Sequence, residues 1–246
     1  VEFTLDKFNG IIIDPATAPH DADSFNAELS EIAEFSKQNK KGIIWISLPI
    51  SLSHLIPVAT ELGFVFHNCL EDEITLIHKS EIVEFVPFIP THTLGAGALI
   101  TNEHNQVLMI KEHGMTGYKL PGGHIELGEG IEESVVRETL EETGIEATFV
   151  SVVGMATRHP YQFGKSNLYF ICHLIAQTQD IAIQDTDEIA EAKWIDVEEF
   201  INNTENYPFN RQMVASLVGK QGLELTQLEG NSGPTHKPEI FFSKSE

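Results

Sequence analysis

Glu138, Glu141 and Glu142 are spaced so that, in a helix of about 3.6 residues per turn, their carboxylates share one face. Such a face attracts hard divalent cations, which prefer oxygen ligands and complete their shells with water and phosphate oxygens. Cations held there neutralise nearby negative charge, orient bound groups and ease deprotonation of a coordinated water, the requirements of metal-assisted hydrolysis. An acidic run also suits a merely solvated helix face, and the formal net charge of −22 makes such faces common in this chain.

The surrounding residues decide between the two readings. From Gly123 the chain reads GHIELGEGIEESVVRETLEETGI, which sets Gly123, Glu129, Arg137, Glu138, Glu141, Glu142 and Gly144 in one register. The spacing G-x5-E-x7-R-E-U-x-E-E-x-G-U, with U a bulky aliphatic residue, resembles the signature of the Nudix hydrolases at every fixed position. The departure is Thr139, where an aliphatic residue is usual, and it bears on packing more than on chemistry. The resemblance implies hydrolysis of a nucleoside diphosphate linked to another moiety, with water as nucleophile and no covalent enzyme intermediate. It also implies Mg²⁺ or Mn²⁺ held by Glu138, Glu141 and Glu142, together with Gly123 of the same segment.

The elements that must position these groups can be read locally. A helix is expected over residues 131–143, with Val136 and Leu140 forming an aliphatic ridge opposite the acids. Gly122 and Gly123 permit a tight turn into the acidic loop, and Gly144 is placed to end the helix in a left-handed conformation before Ile145 resumes an extended run. Arg137 carries a planar fork suited to orienting carboxylates, the role preferred here over a surface ion pair. Glu188, in QDTDEIAEAKWI, reads either as a later catalytic carboxylate or as a solvated loop acid. Arg158, Phe163 and Lys165, with His159, offer charge and stacking to a diphosphate ligand, and Lys119 offers charge beside Pro121; each also reads as ordinary surface or core. His92 is read as a structural histidine.

With 246 residues and 41% hydrophobic content, the chain is long enough for two cores. The acidic balance disfavours nucleic-acid polymers and anionic membranes, whereas small phosphorylated molecules remain compatible because a bound metal reverses the local field. Cys69 and Cys172 show no zinc or disulfide pattern and are expected as buried free thiols in a reducing compartment. No signal-peptide pattern or membrane-length apolar run is evident, so a cytoplasmic address is expected, and Val1 in place of Met suggests a trimmed chain.

Apolar runs at residues 8–13, 42–48, 64–66 and 73–78 read as strands, and residues 24–39 and 51–62 as helices, the latter with Leu52, Leu55, Ile56 and Ala59 inward. Pro87 and Pro90 mark a linker over residues 86–91. Trp45 and Trp194 are expected in strand cores. Helices follow at residues 197–202 and 210–220, the second with Met213, Ala215, Leu217 and Val218 inward, and residues 240–242 could form a terminal strand against a partner. The expected division is an N-terminal α/β domain over residues 1–87, a second domain over 88–205, and a helix and extended tail over 206–246.

A narrower resemblance covers roughly residues 3–200. FNGIIID, KKGIIWISLP, ELGFVFHNC, THTLGAGA, YKLPGGH and FGKSNLYFIC are similar to the Nudix subgroup that carries an N-terminal pre-Nudix domain, which includes many plant enzymes and an animal relative. It implies an α/β (α+β) chain, with a Nudix α/β/α sandwich preceded by a smaller α/β domain resembling half of an acetyltransferase-like fold. It further implies ADP-ribose or NADH-like substrates and a homodimer. Tyr118 stands where the subgroup often has Trp, and Asn167 where it often has Asp, which removes a charge from that position. The competing reading is a catalytically silent nucleotide sensor or interaction module. An acyltransferase is disfavoured, because half of such a fold lacks a complete acyl-coenzyme A site.

Overall fold

The computed structural model describes residues 1–6, 9–83, 86–87, 89–227 and 238–243. The chain divides into two compact units, Val1–Pro90 and Thr91–Glu246.

In the first unit β1 (Phe3–Leu5), β2 (Gly10–Ile13), α1 (Ala22–Gln38), β3 (Ile43–Pro49), α2 (Ile56–Glu61), β4 (Val65–Cys69) and β5 (Glu73–Lys79) follow in order. The strands form a sheet in the order β1-β2-β3-β5-β4. Strands β2 and β3 are parallel, which demands a crossover, and α1 supplies it. Asp21 starts α1 by accepting the Ser24 amide at 2.8 Å. The helix buries Phe25, Leu29 and Ile32, spaced at four and three residues, against Ile11, Ile13, Ile44, Ile46 and Leu48 of the sheet. Phe8, the first residue of the expected run at 8–13, lies outside the described residues.

Two local expectations need correction. Residues 51–62 do not make one helix: Ile50–Leu55 is a 3-10 helix, and α2 begins only at Ile56. Pro57 lacks an amide proton and is tolerated only in the first turn of an α-helix, so the α-helical register starts beside it. Cys69 is exposed at the end of β4, whereas Cys172 is buried. Phe25 is fully buried, and Phe25→Ala should cost about 3–5 kcal/mol, read as a lowered denaturation midpoint.

The second unit runs β6 (His92–Leu99), β7 (Gln106–Glu112), α3 (Ile131–Thr143), β8 (Ala147–Arg158), β9 (Ser166–Ala176), β10 (Ile189–Asp196), α4 (Val197–Asn202), α5 (Pro208–Leu217), β11 (Leu223–Leu225) and β12 (Phe241–Phe242). One sheet has the order β12-β11-β8-β9-β6, with β6 and β9 parallel, and β7 pairs antiparallel with β10. Successive side chains enter opposite cores, as strand pleating requires. Ala98 and Ile100 pack with Val135 of α3, while Leu99 between them joins Phe200, Met213 and Val214 of α4 and α5. The result is a helix–sheet–helix sandwich. His92 is exposed at the start of β6, with its Nδ1 2.8 Å from Thr91 Oγ1. Trp45 and Trp194 are half-buried on β3 and β10.

The C-terminal segment turns back on this unit. Residues 241–242 pair with β11 of the same chain rather than with a partner, and Phe241 packs 5.8 Å from the Phe149 ring. The Glu239 carboxylate accepts the Ile131 and Glu132 amides at 2.6 and 3.1 Å, capping α3 where Gly130 has no side chain to offer. On α5, Met213 and Val214 face inward, whereas Ala215 is exposed. Among the described residues no helix is long and apolar enough to cross a membrane.

Candidate active site

Helix α3 ends where Gly144 turns left-handed at φ 75° and donates its amide to the Leu140 carbonyl. Its buried residues are Ser134, Val135, Thr139, Glu142 and Thr143, whereas Val136 and Leu140 are only partly buried. The fully buried stripe is thus Val135 and Thr139, while Val136 of the expected ridge packs partly buried against the same core. Thr139 fits there because its hydroxyl donates to the Val135 carbonyl at 2.7 Å, so that hydroxyl is buried without being left unpaired.

Burial reaches the acids themselves. Glu142 is 3% exposed and accepts the Gly122 amide at 2.6 Å. Burial pushes its pKa up to about 8, against the downward pull of Lys119 and the Gly122 amide. Glu138 is also pushed up, by burial first, with Arg137 opposing. Glu188, in the turn before β10, adds negative charge that raises both groups. Glu141 is more exposed and reaches Arg137 one turn earlier at 2.9 Å.

Arg137 spans three carboxylates. Its Nε and Nη2 donate to the two oxygens of Glu129 at 2.7 and 3.0 Å, and its Nη1 donates to Glu138 at 3.0 Å and to Glu141 at 2.9 Å. This fork clamps the acidic loop to the helix, and hydrogen bonds from Arg137 hold the Glu129 pKa down at about 2, from an ordinary 4.5. A carboxyl depressed in the folded state adds stability that is present above the ordinary value and lost as pH falls through about 2. Arg137→Ala should therefore lower the melting temperature at pH 7 and flatten its fall between about pH 4.5 and 2, read by thermal scans across pH.

The loop before the helix is laced to β6: Ala96 donates to the Gly123 carbonyl at 3.0 Å and Ala98 to the Pro121 carbonyl at 2.8 Å. Gly122 adopts φ 141°, and a Cβ on Gly123 would lie 2.7 Å from the Glu138 carboxylate. These glycines let the loop lie against both β6 and the acids. Beside it opens a cavity of about 620 Å³ whose walls include Lys119, Gly122, Gly123, Arg158, Tyr169 and Glu188. Lys119 is ion-paired to Glu112 on the same wall.

The expected site residues divide accordingly. Lys119, Gly123, Arg158 and Glu188 line the cavity, and Glu138 and Glu142 adjoin it through the glycine loop. Phe163 does not: it is 97% exposed in a tight turn at φ 52°, and Lys165 is likewise absent from the lining. Residues not singled out for ligand contact take their place. Tyr207 and Phe209 enter from the start of α5, with the Arg158 guanidinium 6.0 Å above the Phe209 ring, and Asn167 and Tyr169 enter from β9. The period-two spacing of Asn167 and Tyr169 on a strand is a legible signal that they share one face. Nothing local marks Tyr207 or Phe209.

The arrangement gathers buried oxygen donors, a lysine and an arginine around one cavity, a combination suited to a polyanion bound with a hard cation. Residues 91–217 match the NUDIX domain family and residues 1–79 match the Nudix hydrolase domain family. The chain is similar to Nudix hydrolase 8 of Arabidopsis thaliana, at 33% identity over 80% of this chain and 55% of that protein. It is also similar to Nudix hydrolase 2 of Arabidopsis thaliana, at 34% identity over 85% of this chain and 77% of that protein. A third relative, Nucleoside diphosphate-linked moiety X motif 6 of Xenopus laevis, is 32% identical over 78% of this chain and 91% of its own length. The chain thus spans about half of the first of these proteins and more of the other two. With the acidic register, the helix–sheet–helix sandwich and these matches in agreement, the chain belongs to the Nudix hydrolase family.

Proposed function

We propose that this chain hydrolyses the diphosphate linkage of a nucleoside diphosphate derivative, with ADP-ribose or an NADH-like dinucleotide as substrate and Mg²⁺ or Mn²⁺ as cofactor. The observation that carries this reading is the buried Glu142, hydrogen-bonded to the Gly122 amide at the edge of a cavity that also holds Lys119, Arg158 and Glu188. Family membership supports the reaction class, and the name of the Xenopus relative refers to nucleoside diphosphate-linked compounds.

The donor set suits a hard dication. Its donors are oxygens, and burial raises the pKa values of Glu138 and Glu142 by penalising their charged forms, a penalty that a bound cation would offset. Among the described residues no three His, Cys, Asp or Glu side chains form a ready-made ligand cluster, and Arg137 holds both Glu138 and Glu141. Glu138, Glu141 and Glu142 would hold the ion, with Gly123 alongside and with water and substrate oxygens completing its shell. When bound, the ion neutralises the diphosphate and acidifies a coordinated water. Arg137 orients the carboxylates, Lys119 and Arg158 bind phosphate oxygens, and Glu188, which lines the same cavity, takes the proton from water in this reading.

The test is a panel of ADP-ribose, NADH, nucleotide sugars, coenzyme A and nucleoside triphosphates, assayed with Mg²⁺, Mn²⁺ and chelator, with products identified by mass. The expected result is AMP from ADP-ribose or NADH, abolished by chelator. Metal-independent nucleotide binding without product would instead establish a sensor.

A further inference from the structure

Tyr169 packs its ring against the core that holds Leu99, Ile171 and Met213, but that packing gives no account of its hydroxyl. It follows Asn167 at i+2 on β9, so both project from the same face, and both line the cavity. Asn167 is held in place: its Nδ2 donates to Thr93 Oγ1 at 3.1 Å and to the Thr93 carbonyl at 3.3 Å, across the parallel pair in which Thr93 faces Asn167. The Tyr169 hydroxyl, by contrast, has no hydrogen-bond partner among the described residues, and it is absent from the fully enclosed unpaired atoms, so it opens on the cavity. A phenol deep in a protein ordinarily finds a partner for its O–H.

The neighbouring strand is shaped around this ring. Gly95 faces Tyr169 in the β6–β9 register. A Cβ on Gly95 would lie 3.0 Å from the Tyr169 ring, and one on Gly97 would collide with the phenol oxygen itself. The two glycines of THTLGAGA thus leave room for one aromatic side chain whose hydroxyl satisfies nothing in the protein. The hydroxyl also lies within electrostatic reach of Glu142 and Glu138, which places it at the acidic end of the cavity. Those carboxylates are the groups proposed to hold the cation, so the ligand oxygens nearest the phenol are those of the diphosphate.

We propose that Tyr169 is a substrate-contacting residue whose phenol donates a hydrogen bond to a non-bridging oxygen of the diphosphate, with Gly95 and Gly97 serving to admit the ring. This rests on the diphosphatase reading above and adds the residue that seats the anionic group being cleaved. A hydrogen bond to a charged oxygen is among the stronger kinds, and its loss is expected to cost about ten- to a hundredfold in kcat/KM. No protein partner is left stranded when the hydroxyl is removed.

The experiment compares wild type with Tyr169→Phe in three measurements: melting temperature, kcat/KM for ADP-ribose and NADH with Mg²⁺, and calorimetric affinity for methylene-bridged ADP with Mg²⁺. The expected result is an unchanged or raised melting temperature in the variant, with kcat/KM and affinity for the methylene analogue both reduced about tenfold or more. Gly97→Ala, which displaces the ring, should reproduce the loss of affinity. Equal affinity and equal kcat/KM in wild type and Tyr169→Phe would overturn the proposal while leaving the diphosphatase reading intact. A fall in melting temperature with unaltered affinity would show that the hydroxyl is structural. If wild type turns over nothing in the panel, the diphosphatase reading fails, and a wild type that also does not bind the methylene analogue overturns the Tyr169 contact with it.

Discussion

Glu142→Gln should lower turnover by at least about a hundredfold while leaving the fold intact and making the chelated protein more stable at pH 8. The loss follows from removing a charge proposed to hold the cation, and a glutamine carbonyl can still accept the Gly122 amide. The gain in stability follows from linkage. Burial raises the Glu142 pKa to about 8 from an ordinary 4.5, so the folded protein binds a proton that the unfolded chain releases. Stability present below about pH 4.5 is therefore lost as pH rises through about 8, by an amount on the order of a few kcal/mol. Glutamine does not titrate, so the variant avoids that loss. Thermal scans in chelator from pH 5 to 9 should show wild type falling more steeply than the variant, beside an assay with Mg²⁺ in which only wild type turns over. Full activity in the variant would remove Glu142 from the proposed chemistry. Such a trade of stability for function is common at active sites.

Gly122→Ala should destabilise the protein by about 3 kcal/mol or more and abolish activity in whatever fraction remains folded. Gly122 sits at φ 141°, which side-chain-bearing residues rarely adopt, and an added Cβ would strike the Ala96 carbonyl and lie 2.6 Å from the Gly97 Cα. Those are backbone atoms of β6, so relief requires moving the strand or the loop. Moving the loop takes the amide from Glu142 and carries Pro121 and Gly123 away from their bonds with Ala98 and Ala96. Urea denaturation reads the first effect, and Gly128→Ala is the control. Gly128 also has positive φ, at 87°, but a Cβ there meets nothing within 4 Å, so backbone strain is its only cost. Equal stability losses at the two sites would show that the contact with β6 contributes nothing.

Much of α3 was legible locally. Its start and end, the left-handed Gly144 and the shared face of Glu138, Glu141 and Glu142 follow from helix periodicity and the conformational freedom of glycine. The centre of the buried side was only partly legible: of the expected ridge Val136 packs against the core at its margin, but Val135 and Thr139 lie deepest, because a threonine that bonds its own helix carries no exposed polar demand. Likewise, the spacing of residues 51–62 suggested one helix, and proline chemistry divided it. Phe163 and Lys165 resemble ligand contacts by type, but the turn between β8 and β9 carries them off the cavity wall.

By itself the sequence determined the acidic register and the helix that carries it, on which the proposed cation site and its chemistry rest, because these depend on residue type and on spacing within one helix. Only the tertiary structure decided what completes the site. Tyr169 meets Gly95 through parallel strand pairing, Tyr207 and Phe209 arrive from α5, and Glu239 caps α3 across 108 residues of chain. Contacts of that kind are set by how strands pair and helices pack, and no local periodicity encodes them.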